Sequence, residues 1–200
     1  RGSKSWITWI GNQPQISESN EGAKKAQVKI SSGALSDEQW KERVARAVEH
    51  IKNGDLEKVV LARDLIGHSN DEISIRKILE TLIDNYPTTW TFLVSNLLGA
   101  TPELLVRLSK SLVTSRVLAG TIKKTGDEAR DLALAASLAR SSKDLEEHEY
   151  AVRSVADALS PFCSSTNVPD SPFVLHLANV MHLATDVSGA LSESHNVVDL

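Results

Sequence analysis

Lys58 stands in the run Leu56-Glu57-Lys58-Val59-Val60-Leu61-Ala62-Arg63, among mostly apolar neighbours. An apolar setting disfavours the ammonium form, and a lysine so placed can act as a base. The plainer reading is a strand-edge lysine whose stem lies on the sheet while its charge reaches water. Glu103 follows Gly99-Ala100-Thr101-Pro102 and heads the apolar run Leu104-Leu105-Val106. A carboxyl group beside a buried strand can have its pKa raised and serve as a general acid; a turn residue facing solvent is the alternative. The pair has a use that neither member has alone. A lysine base and a carboxylic acid on neighbouring strands could deprotonate a nucleophile and protonate a leaving group across one substrate.

Three further segments carry polar groups in suggestive places. Leu118-Ala119-Gly120-Thr121 ends a strand with two small residues and a hydroxyl, which would let a ligand approach the backbone while Thr121 donates a hydrogen bond; a strand-to-loop turn explains it as well. In Ser141-Ser142-Lys143-Asp144-Leu145-Glu146-Glu147-His148, Asp144 and Glu147 are three apart. On a helix they share a face and could hold a hard cation such as magnesium, with Glu146 directed elsewhere. Acidic residues in a first helical turn also oppose the helix dipole with no metal at all. His182, between Met181 and Leu183 in a strand, reads by itself as a hydrogen-bonded core histidine.

These residues need elements to position them. Ser5–Gly11 alternates as a strand, residues 12–25 read as loop, and Ala26–Ser31 reads as a second strand. Ser36-Asp37-Glu38-Gln39 is a capping box, and Trp40, Val44, Val48 and Ile51 follow at helical spacing to the stop Asn53-Gly54. The β-branched run from Leu56 to Ile66 predicts a strand buried on both faces. A second helix is expected over residues 74–85, ended by Tyr86-Pro87. Residues 89–94, 97–100, 104–108 and 112–118 read as an antiparallel meander. From Asp127 the apolar period turns helical through Leu159, giving two consecutive helices before a loop over residues 164–172. Strands over residues 173–177 and 181–189 close the chain. Because strands and helices fall in separate runs, the expected class is α+β with antiparallel sheet, in one domain over residues 1–200.

Composition narrows the functions open to this arrangement. With 22 basic and 26 acidic residues and no basic stripe, nucleic acid is not an expected partner. A single cysteine, Cys163, forms no internal disulfide and fits no zinc spacing, pointing to a reducing, cytoplasmic compartment. No stretch approaches the roughly 20 apolar residues of a membrane helix, so no membrane partner is expected either.

Taken in order, KVVLAR (58–63), GATPELLVR (99–107), LAGT (118–121), SSKDLEEHEYAV (141–152) and HLATDVSG (182–189) resemble the chorismate-utilising enzymes. That family includes isochorismate synthase, salicylate synthase, anthranilate synthase component I and aminodeoxychorismate synthase. The resemblance covers nearly everything from Leu35 to Gly189, and it implies an antiparallel sheet sandwich with helices packed outside. It implies that Lys58 activates water, the ammonia-using members usually carrying another residue there, and that Glu103 protonates the departing C4 hydroxyl of chorismate. Ala119, Gly120, Thr121, His182 and Thr185 would bind substrate; Glu147 and Asp144 would hold Mg2+, which would bridge them to the substrate's ring carboxylate.

The wording KDLEEHEYAV is most similar to the menaquinone-pathway isochorismate synthases, whose reaction adds water at C2 as the C4 hydroxyl leaves. Salicylate synthase, which keeps the same lysine and glutamate and then eliminates pyruvate, is the enzymatic rival. A folded module without activity is the other. Complete members of the family extend before Arg1 and well beyond the last strand. The chain is therefore expected to be a partial catalytic domain, inactive alone, that self-associates through exposed sheet edges.

Overall fold

The computed structural model describes residues 27–200. The expected strand at Ser5–Gly11 and the loop after it lie outside them. Fourteen elements follow in order: β1 Lys29–Ser32, α1 Asp37–Lys52, β2 Leu65–His68, α2 Ile75–Asn85, β3 Trp90–Val94, β4 Leu97–Thr101, β5 Leu104–Ser109 and β6 Leu112–Lys123, then α3 Glu128–Leu138, α4 Ser142–Leu159, a 3-10 turn at Ser160–Phe162, β7 Cys163–Asn167, β8 Phe173–His176 and β9 Val180–Leu191. Every strand pairing is antiparallel.

Each helix begins where a side chain satisfies its open backbone donors. Ser36 Oγ accepts from the Gln39 N–H while Gln39 Oε1 accepts from the Ser36 N–H, closing the capping box of α1. Asp127 accepts from the Arg130 N–H to start α3, and Ser141 accepts from the Asp144 N–H to start α4.

The strands sort into three sheets. Among the described residues β1 pairs only with β2 and β3 only with β4, whereas β5, β6 and β9 run side by side, with β7 and β8 both on the far edge of β9. The expected four-strand meander is thus two hairpins, β3–β4 and β5–β6. Pro102 and Glu103 separate β4 from β5, and proline offers no N–H to a ladder. α3 and α4 cover one face of the five-stranded sheet. Val113, Val117 and Val187 meet Leu159 there, and Met181 and Leu183 meet Ala135 and Leu138.

Two other expectations are corrected. Of the strand predicted over residues 56–66, only its last two residues join β2, and Val60 is 81% exposed. Among the described residues no strand lies alongside residues 56–64 to take up their backbone hydrogen bonds, so β-propensity has nothing to act on. Conversely, the first part of the expected loop at 164–172 lies in β7, an edge strand whose serines and threonine face solvent while its backbone pairs with β9.

The turn from β6 into α3 is fastened by a buried carboxylate. Asp131 accepts from the Thr125 N–H at 2.7 Å, the Thr125 hydroxyl at 2.8 Å and the Gly126 N–H at 3.3 Å. These donors, the Thr125 backbone N–H foremost, hold its pKa below the usual carboxylate range. A carboxylate whose folded pKa is depressed adds stability that is complete above the unfolded value of about 3.9 and fades as pH falls through the folded pKa. Thermal melts from about pH 6 down to about pH 3 should therefore show a Tm decline that is shallower in Asp131→Asn. Parallel profiles would remove this role.

Candidate active site

A bulge in β6 sets the geometry of the site. Down the β6–β9 ladder Ser115 pairs with Val187, Val117 with Thr185 and Ala119 with Leu183; then Gly120 is skipped and Thr121 pairs with His182, Ile122 with Met181. Gly120 has φ +72°, a left-handed conformation that glycine adopts without steric cost. Without the extra residue Thr121 would turn toward the helices. With it, Ile122 fills the core and Thr121 joins His182 on the opposite, helix-free face, its hydroxyl 2.9 Å from His182 Nδ1. His182 is accordingly not a core histidine.

The bulge also abuts the start of α4. A Cβ at Gly120 would lie 3.1 Å from the Asp144 Cβ and 3.3 Å from Leu183 Cδ1. Glycine is needed here for closeness as well as for φ. The first turns of α4 thus bring Asp144 beside the LAGT segment, and one turn on they bring Glu147 beside Lys58. Lys58 Nζ donates to the Glu147 carbonyl at 3.2 Å and lies 3.9 Å from the Glu147 carboxylate. Lys58 comes from the irregular stretch after α1 rather than from a strand, and it lines an open cleft of about 580 Å³ with Glu146, Glu147 and Tyr150.

Glu103 lies in the link between β4 and β5, exposed, with its backbone N–H donating to Thr101 Oγ1 at 3.2 Å. No hydrogen bond or ion pair joins it to Lys58 among the described residues. The structure therefore gathers Lys58, Asp144, Glu147 and Gly120 around one helix end, and Thr121 and His182 on the neighbouring sheet face. Among the described residues Glu103 makes no hydrogen bond or ion pair with either group.

Thr185, for which the resemblance implied a place against the substrate, lies on the face of the sheet opposite His182. An odd spacing along a strand puts residues on opposite faces, and Thr185 is 2% exposed beneath α4, its hydroxyl 2.8 Å from His148 Nε2. With His148, Leu145 and Val152 it borders an open pocket of about 550 Å³ on that side. His148 was not among the residues singled out from sequence. Its signal was its place in the apolar stripe Leu145, Val152, Val155, Leu159 of α4, three residues after the first and four before the second. Burial lowers its pKa, with the Lys58 charge adding to the effect and the Ala119 carbonyl opposing it. The other missed pair is Arg116–Asp186, cross-strand partners joined by two hydrogen bonds of 2.6 and 2.7 Å on the face of His182. The Asp186 bond raises the Arg116 pKa despite burial. Burial pushes the Cys163 thiol up, away from the reactive thiolate form.

The donor set for a cation is two carboxylates. Among the described residues no cluster of three or more His, Cys, Asp or Glu side chains could ligate a metal. Among the described residues the Asp144 carboxylate makes no hydrogen bond or ion pair, and that of Glu147 pairs with Lys58. That set suits magnesium, which commonly takes one or two protein carboxylates and completes its shell with substrate oxygens and water. It suits a structural zinc site poorly.

A chain with this α+β fold and these motifs belongs to the chorismate-binding enzymes: the family model described as "Chorismate binding enzyme" matches residues 4–200. Among relatives, the isochorismate synthase MenF of Bacillus subtilis is 33% identical over 170 residues, covering 83% of this chain and 36% of the relative. The isochorismate synthase DhbC of the same organism is 34% identical over 167 residues, covering 78% of this chain and 42% of the relative. A crystal structure of a putative 2,3-dihydroxybenzoate-specific isochorismate synthase, DhbC from Bacillus anthracis, superposes with TM-score 0.78 at 35% identity, over 86% of this chain and 48% of that one. The menaquinone-specific isochorismate synthase MenF of Escherichia coli shares the fold with TM-score 0.77 at 22% identity, over 86% of this chain and 40% of that one. The chain thus spans less than half the length of these relatives. No helix among the described residues is long and apolar enough to cross a membrane.

Proposed function

We propose that the protein carrying this domain converts chorismate to isochorismate. The supporting observation is the meeting of three motifs at one helix end: Lys58 against Glu147, and Gly120 against Asp144. Lys58 takes a proton from water as its oxygen adds to C2; the ring double bonds shift, and Glu103 delivers a proton to the hydroxyl leaving C4. One water enters and one leaves, so substrate and product are isomers. Thr121 and His182 present a hydroxyl and an imidazole to the substrate, with the Ala119–Gly120 backbone close enough for contact. Asp144 and Glu147 would hold Mg2+, which when bound supplies positive charge to orient and neutralise the ring carboxylate.

The test is a product assay on the full-length protein with chorismate and magnesium. Isochorismate alone, lost on chelation and restored by added magnesium, is the expected result. Salicylate with pyruvate would move the protein to the salicylate synthases, and absence of any product would reduce the domain to a folded module.

A further inference from the structure

The buried His148–Thr185 pair has no part in the chemistry just described. Its location is nonetheless specific. His148 immediately follows Glu147, is 3% exposed, and packs against the sheet between β6 and β9. Its Nε2 meets the Thr185 hydroxyl on β9, and its Nδ1 turns toward the Ala119 carbonyl on β6 without a well-formed hydrogen bond. One imidazole therefore faces both strands just before the bulge, from the side opposite His182.

The remaining inward residues near this end of α4, Leu145 and Val152, are apolar. Interlocked apolar side chains resist large movements of a helix but carry no directional bond, and the Lys58 bond to the Glu147 carbonyl comes from an irregular stretch rather than from the sheet. A hydrogen bond is directional. Rolling α4 would swing Glu147 away from Lys58 and Asp144 away from Gly120, because all four residues depend on the same helical azimuth.

We infer that His148 is a positioning residue that acts through Thr185. The hydrogen bond fixes the rotation of α4 on the β6–β9 pair and so sets the two carboxylates at the start of that helix in place. The inference rests on the reading of Asp144 and Glu147 as magnesium ligands.

Thr185→Val removes the hydroxyl but keeps the shape and strand preference of the residue, whereas Thr185→Ser keeps the hydroxyl. Amide hydrogen exchange of the full-length protein should speed up by about tenfold or more in Thr185→Val over residues 144–148 and 119–121, with β7 and β8 unchanged, since one buried partner is left unpaired. The serine variant should restore slow exchange. Magnesium titration should show about tenfold weaker binding for valine and near wild-type binding for serine, the scale seen when the support of a metal ligand is lost. Unchanged exchange over residues 144–148, or equal acceleration of every sheet amide, overturns the inference, as does unaltered magnesium affinity in the valine variant. A wild-type protein that takes up no magnesium removes the carboxylate reading instead, and the exchange pattern then decides by itself whether His148 fixes α4.

Discussion

Lys58→Ala in the full-length protein should lower kcat for chorismate by about 100- to 10,000-fold while leaving KM near the wild-type value, and Glu103→Gln should do the same. The two substitutions remove proton transfer, which operates in the transition state. Neither removes a group assigned to substrate binding. Lys58 does hold α4 through the Glu147 carbonyl, but a hydrogen bond at a half-open cleft contributes only about 1 kcal/mol. A Tm close to wild type would separate lost chemistry from lost structure. Should kcat and Tm fall together, Lys58 is a tether for α4 and not a base. Glu103 is the sharper case, because its side chain is exposed and makes no hydrogen bond or ion pair among the described residues: if Glu103→Gln keeps full turnover, the acid must be sought elsewhere.

Gly120→Ala should destabilise the domain by about 2 to 5 kcal/mol in a denaturant titration. Two independent costs meet there. An alanine at left-handed φ costs roughly 1–2 kcal/mol, and forcing a methyl into a close-packed contact costs about 1–3 kcal/mol more. Its neighbours, the Cβ of Asp144 and the side chain of Leu183, are tied to a helix and to a core strand, so neither can yield cheaply. If the bulge relaxes instead by shifting register, Thr121 loses His182 and substrate affinity falls with stability. An effect below about 0.5 kcal/mol, the size of an ordinary surface substitution, would show that the bulge is pliable.

The helices were the most legible elements. Ser36 and Gln39 announce α1, because a cap is a local interaction between side chain and adjacent backbone; Ser74 and Asp127 stand where the next two helices were expected to begin and cap them, whereas the cap at Ser141 that divides α3 from α4 was not read. Strand identity in residues 56–64 was not legible. A β-branched run states only that a strand is affordable, and whether one forms depends on a partner strand far away in sequence. The same logic hid β7, whose polar residues suit an edge strand as well as a loop. In the site, Asp144 and Glu147 could be placed on one helix face from their spacing. The side of the sheet to which Thr121 points could not, because one skipped residue at Gly120 inverts the alternation. The direction of Thr185 was hidden for a related reason: its motif neighbour His182 is near in sequence but lies on the other face of the sheet.

β9 is held on both flanks, by eleven pairs to β6 on one side and by β7 and β8 on the other. This double clamp has an evolutionary consequence. Gaining or losing one residue within β9 would exchange its two faces, sending His182 under the helices and Leu183 into the ligand cleft. The connection between β7 and β8 carries no such penalty and can change length without disturbing the parity of β9. Lineages of this domain should accordingly vary in length there and keep residues 180–191 free of insertions and deletions, even where the amino acids themselves drift.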